Sequence, residues 1–209
     1  MLAGGACSRF GGKPKGLERI GGERIADRTL RSLQAATGTR PLIIANHAEA
    51  AGWFEGFDVI PDVPTPPLVS ERDTPPPGEC GSLGGIYTAV SKHETPVLVL
   101  AWDMPFVPVD LLAALCKLSN GHDVAVPASN GPLSVEPCCA VYGPGSLDAI
   151  KVSLETEDYR ATAFHEAVDV VVMPLEEVVG YGEPDTVFFN VNTPADLKKA
   201  EELWRQAHG

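Results

Sequence analysis

The chain has 209 residues, 44% of them hydrophobic, and a formal net charge of −12, which suits one α/β domain spanning residues 1–209 with a sizeable core. The acidic balance argues against a nucleic-acid backbone or an anionic membrane surface as partner. No apolar run approaches the roughly 20 residues of a transmembrane helix and no secretory signal precedes the first glycines, so the expected location is cytoplasmic.

Met1, Leu2 and Ala3 form a short apolar start, against roughly 5–6 residues for a typical strand. The expectation is that the first strand is truncated here and that the natural start lies upstream. A glycine-rich loop follows, with Gly4, Gly5, Gly11 and Gly12 ahead of Lys15. Ile25 to Ala36 reads as a helix with Ile25, Leu30 and Leu33 broadly on one face. Pro41 to Ala45 reads as a buried strand ending at Asn46, and Val59-Ile60 as one ending at Asp62. Pro61 to Gly81 holds seven prolines and reads either as a loop over a ligand or as a surface insertion. Ser82 to Ser91 reads as a helix capped by Ser82. Pro96 to Ala101 is a strand that runs into Asp103. Asp110 to Leu118 is a helix and Asp123 to Val126 a strand. Glu155 to Arg160 is a charged stretch that reads either as lying near a substrate loop or as an ordinary solvated turn. Val187 to Val191 reads as a strand that leads to Asn192. Thr193-Pro194 opens the last helix, which runs to about Gln206. Strands alternating with helices predict a three-layer α/β/α, Rossmann-like fold with a mostly parallel sheet.

The loop is the main chemical signal. Glycines let backbone N–H groups turn toward an anion without a Cβ in the way. Arg9, Lys13 and Lys15 add fixed positive charge, a combination that suits a nucleoside triphosphate. It is not a Walker A loop, because Gly12-Lys13 is followed by Pro14 and the magnesium-binding hydroxyl is missing. Its glycine spacing does not fit the dinucleotide fingerprint either. Asp103 lies just past a strand's C-terminal end, where open α/β sheets bind ligands, and a carboxylate there suits magnesium. Asn46 and Asp62 follow strands along the same edge, where turn formation is the competing explanation. The five cysteines, Cys7, Cys80, Cys116, Cys138 and Cys139, contain no Cys-x-x-Cys pair, which argues against disulfides and structural zinc. The histidines show no metal-ligand spacing.

Leu2-Ala3-Gly4-Gly5 through Arg9, Lys15 and Leu17 resembles the signature loop of the molybdenum cofactor nucleotidyltransferases (the MobA-like family). Ile44-Ala45-Asn46, Val59-Ile60-Pro61-Asp62, Gly81-Ser82-Leu83-Gly84-Gly85, Asp103-Met104-Pro105-Phe106 and Asn190-Val191-Asn192-Thr193-Pro194 resemble later family motifs in the same order. The resemblance implies transfer of GMP from GTP to molybdenum-bound molybdopterin with release of pyrophosphate, with Mg2+ as the working metal. It implies catalytic roles for Arg9, Lys15 and Asp103. It also implies nucleotide contacts from Leu2, Ala3, Gly4, Gly5, Lys15, Asn46, Asp62, Gly84 and Asp103, and metal ligation by Asp103 and Asn192. The segment from Pro132 to Tyr142 resembles the part that faces the acceptor. The partners implied are GTP and the molybdopterin cofactor, with transient docking to molybdenum-enzyme chaperones. Cytidylyl transfer to the same cofactor, nucleotidyl transfer to another phosphate monoester, and non-catalytic nucleotide binding remain open alternatives. Pro14 stands where the family usually has aspartate, which bears on base specificity more than on chemistry.

Overall fold

The computed structural model describes residues 1–4, 14–63 and 80–208. Helix α1 (Ile25–Thr37) buries Ile25, Ala26, Thr29, Leu30 and Leu33, the stripe that its periodicity predicts. Each leucine so buried contributes about 2 kcal/mol. The helix stops at Gly38, whose φ of +68° is left-handed and whose N–H returns to the Gln34 carbonyl at 2.8 Å. Helix α4 (Val109–Leu118) buries Leu111, Leu112 and Leu115. Helix α3 (Gly81–Ser91) is buried over most of its length, including Gly84 and Gly85. The last long helix, α8 (Pro194–His208), opens with Thr193 capping, because the Asp196 N–H donates to Thr193 Oγ1 at 3.1 Å.

The central sheet is assembled from short strands. Strand β3 (Ile43–Ile44) pairs in parallel with β4 (Val59–Ile60). Leu2 bridges in parallel to Ile44 on one side and to Ala101 on the other. The Met1–Ala3 segment therefore takes a central place between β3 and β5 (Val97–Leu100). Beyond β5 the order is β7 (Cys139–Tyr142), β6 (Val124–Pro127) and β8 (Val170–Met173). Successive residues alternate between faces. Leu100, Ala125, Cys139 and Val141 join one core with α1 and α4. Val99, Val124, Val126, Ala140 and Tyr142 join another with α3 and α5 (Leu147–Glu155). The result is the three-layer arrangement.

The structure corrects the sequence-based expectation in three places. The sheet is mixed rather than mostly parallel, since β7 runs antiparallel to both β5 and β6. No helix separates β6 from β7, and a parallel return needs a long crossover connection, usually a helix. Residues 187–191 are not a strand. Pro184 instead starts the short helix α7 (Pro184–Val187), after which Val191 makes one backbone bond to Asp103 at 3.0 Å. Ser82 does not cap α3; the helix begins one residue earlier and its N-cap is Cys80, with no side-chain cap bond. A small hairpin, β1 (Arg19–Ile20) with β2 (Glu23–Arg24), precedes α1.

One fold feature gives a stability prediction. His165 is half-buried edge-on against Phe164, with Nε2 lacking a partner among the described residues. Burial lowers its pKa from the ordinary 6.5. The unfolded chain then takes up a proton that the folded one resists, so stability falls as pH drops through that value. Tm measured between about pH 7.5 and 5.5 is expected to fall further for the wild type than for His165→Gln. Parallel curves would show that His165 does not contribute.

Candidate active site

The strand ends meet at one edge of the sheet and open onto a cavity of about 290 Å³. Its wall includes Leu2, Gly4, Lys15, Asn46, Asp62, Asp103 and Asn192, all expected at the site. Ala3 and Gly84 are buried behind that wall. The Ala3 N–H is taken by the Ile44 carbonyl at 2.8 Å. A Cβ on Gly84 would lie 3.2 Å from Asp62 Oδ2. Arg9, Gly5, Lys13, Cys7 and the interior of the proline-rich stretch lie outside the described residues.

Three polar groups far apart in sequence converge here. Lys15 sits in a 3-10 turn, Lys15–Leu17, closed by Leu17 N–H to Pro14 O at 3.0 Å. Its ammonium pairs with the Asp103 carboxylate and donates to Asn192 Oδ1 at 2.7 Å. Asp103 is 6% exposed, at the end of the central strands. Asn192 is held by its own N–H, which donates to Asp196 Oδ2 at 3.0 Å. The Val191–Asp103 backbone bond ties the two segments together next to this cluster.

Asn46 and Asp62 sit side by side because β3 and β4 pair sixteen residues apart. The Asn46 amide donates to Asp62 Oδ2 and the Asp62 N–H donates to Asn46 Oδ1, both at 2.9 Å. This reciprocal pair locks the two strand ends and presents one carboxylate and one amide at the cavity wall.

Sequence reasoning singled out no ligand contact by four further residues at the cavity: Trp102, Ser82, Cys138 and Asn190. Asn190 stands two positions before Asn192, a spacing that in an extended segment puts both on one side. Nothing in the local pattern marks Cys138, which β7 brings beside β5 through its carbonyl, 2.9 Å from the Ala101 N–H. Burial pushes its thiol pKa up to about 12, so it is protonated and inert at neutral pH. Glu136, whose Oε1 accepts from the Cys138 N–H at 3.2 Å, has its pKa raised by burial.

An oxygen pair at a strand end suits a hard cation, and magnesium usually takes one or two protein carboxylates with phosphate oxygens and water. Among the described residues, no group of three or more His, Cys, Asp or Glu side chains is placed to hold a metal alone. The donor set therefore fits a cation that shares its coordination with a phosphorylated substrate. No helix among the described residues is long and apolar enough to cross a membrane.

Known proteins resemble this chain in sequence and in fold. The family described as MobA-like NTP transferase domain matches residues 1–171. A probable molybdenum cofactor guanylyltransferase from Pelotomaculum thermopropionicum is 32% identical over 204 residues, covering 97% of this chain and 91% of that protein. The crystal structure of molybdopterin-guanine dinucleotide biosynthesis protein A from Archaeoglobus fulgidus superimposes with a TM-score of 0.75 at 25% identity, over 98% of this chain and 97% of that one. In fold alone, 2-C-methyl-D-erythritol 4-phosphate cytidylyltransferase from Thermus thermophilus is also similar, with a TM-score of 0.65 at 17% identity over 98% of this chain and 97% of the other.

Proposed function

The chain belongs to the MobA-like NTP transferase family, and from that premise we propose that it is a molybdenum cofactor guanylyltransferase acting as a single cytoplasmic domain. It joins GMP from GTP to the phosphate of molybdenum-bound molybdopterin. A phosphate oxygen of the acceptor attacks the α-phosphorus of GTP, the bond to the β-phosphate bridging oxygen breaks, and pyrophosphate leaves. The observation that carries this reading is the convergence of Lys15, Asp103 and Asn192 at the strand-end cavity, in a chain whose near full-length relative has that name.

In this reading the residues supply position and charge, which is most of what phosphoryl-type transfer needs. Gly4, Gly5 and the rest of the glycine loop, with Arg9, hold the triphosphate. Lys15 neutralises charge that grows on the α-phosphate oxygens. Asp103 and Asn192 would hold magnesium, which supplies further neutralisation of the phosphates. Leu2, Asn46 and Asp62 border the nucleoside, and Gly84 lets α3 approach it. The Pro132–Tyr142 segment faces the acceptor, and transient docking to molybdenum-enzyme chaperones delivers the product.

The test is thermal stabilisation by GTP, CTP, ATP and UTP with Mg2+, followed by transfer to the molybdenum cofactor. GTP is expected to raise Tm most, and GMP transfer to follow. A CTP preference would replace guanylyl with cytidylyl transfer. Stabilisation without any turnover would overturn the enzymatic reading.

A further inference from the structure

Trp102 lies directly before Asp103, is 2% exposed, and packs under the turn that carries Lys15. Gly16 rests on the benzene half of its indole. A Cβ there would meet Cδ2 at 2.5 Å and Cζ3 at 2.8 Å and lie nearer still to Cε3. The ring has little room to retreat. Trp53 is stacked on it at 6.2 Å and 15°, and Phe54 packs at 6.3 Å. Its backbone is anchored too, the Trp102 N–H donating to the Leu2 carbonyl at 3.0 Å. Its Nε1 has no hydrogen-bond partner among the described residues, and the ring contacts there are packing contacts.

Lysine has a flexible four-carbon stem. Where its ammonium can rest therefore depends on where its backbone is fixed. Here the backbone is fixed by contact between a glycine and an immobile ring, one residue away on each side from the two charged groups that meet. We infer that Gly16 and Trp102 are a positioning pair for Lys15. The ring sets the height of the Lys15–Leu17 turn, and so the reach of the ammonium to Asp103 and Asn192. Both act through Lys15; Trp102 reaches the cavity wall but is almost wholly buried. The catalytic part of the inference rests on the transfer reading above; the placement of Lys15 does not.

The test combines Gly16→Ala, Trp102→Phe and the double variant. Gly16→Ala lifts the turn, and kcat is expected to fall about 100-fold, the scale of a misplacement near 1 Å, while KM for GTP changes little. Phe at 102 vacates ring volume, so the double variant is expected to regain about tenfold over Gly16→Ala. Mn2+ affinity without nucleotide reads the position of Lys15 with no turnover at all. It is expected to tighten about threefold or more in Gly16→Ala, where the ammonium withdraws from Asp103 and Asn192, and to return toward wild type in the double variant. Wild-type kcat and Mn2+ affinity in Gly16→Ala, or a double variant no better than the single, would overturn the pairing. A wild-type protein that transfers no GMP would sink the transfer reading, and the Mn2+ series would still decide the pairing.

Discussion

Asp103→Ala is expected to lower GMP transfer about 1000-fold, the upper end of what one preorganised electrostatic group contributes to such a step. Asp103 is a nearly buried carboxylate that pairs with Lys15 and stands beside Asn192. Removing it takes away the charged ligand proposed for magnesium. It also leaves the Lys15 ammonium in a partly buried place without its counter-charge, and breaking such a pair from one side costs about 3–5 kcal/mol when burial is complete. Lys15 keeps 15% side-chain exposure, so the loss in stability is expected at the lower end of that range. Asp103→Asn separates the two effects. It keeps the shape, one oxygen acceptor and the backbone bond from Val191, and is expected to hold Tm closer to wild type than alanine does while transfer remains lost. Transfer at a near wild-type rate in Asp103→Asn would remove Asp103 from the mechanism.

Lys15→Met is expected to show the second largest loss, about 100- to 1000-fold in kcat/KM. Methionine fills much of the lysine stem and carries no charge, so the turn stays packed on Trp102 while neutralisation of the α-phosphate is gone. A second consequence follows from the geometry. The Lys15 ammonium holds both oxygens offered to the cation, Asp103 carboxylate and Asn192 Oδ1. An ammonium and a divalent ion cannot share that place, because like charges a few ångströms apart repel by several kcal/mol even at the higher effective dielectric of a protein surface. Mn2+ affinity without nucleotide is therefore expected to rise about tenfold in Lys15→Met while turnover falls. Unchanged Mn2+ binding would place the cation elsewhere, and unchanged kcat/KM would leave Lys15 a structural partner of Asp103.

Much of the fold was legible where local chemistry decides it. The period of Ile25, Leu30 and Leu33 predicted α1, and Thr193-Pro194 predicted the start of α8. The short apolar runs at residues 41–45, 59–60, 96–101 and 123–126 each became a strand, shorter than the run for β3 and β5, equal to it for β4 and shifted by one residue for β6. Strand direction was not legible, because a strand reads the same to local propensity whichever way its neighbour runs. The antiparallel insertion of β7 depends on the absence of a crossover helix between β6 and β7. Residues 187–191 read as a strand by composition, yet Pro184 had already begun a helical turn.

The site divides in the same way. Glycines beside Lys15, a carboxylate after an apolar strand, and asparagine and aspartate at strand ends are residue types whose chemistry can be named without coordinates. Sequence by itself determined that residue types whose chemistry suits phosphate and a hard cation are present and that each was expected after a strand or in a loop. Their meeting was decided only by the tertiary structure. Lys15, Asp103 and Asn192 are 88 and 177 residues apart along the chain as Lys15 pairs with each, and only the packing of the Lys15 turn and the Val191–Asn192 segment beside the end of β5 brings them together. The same holds for Trp102 and Gly16. A tryptophan before an aspartate and a glycine after a lysine carry no mutual signal until a close-packed core, which has no room for a methyl group between them, puts one on the other.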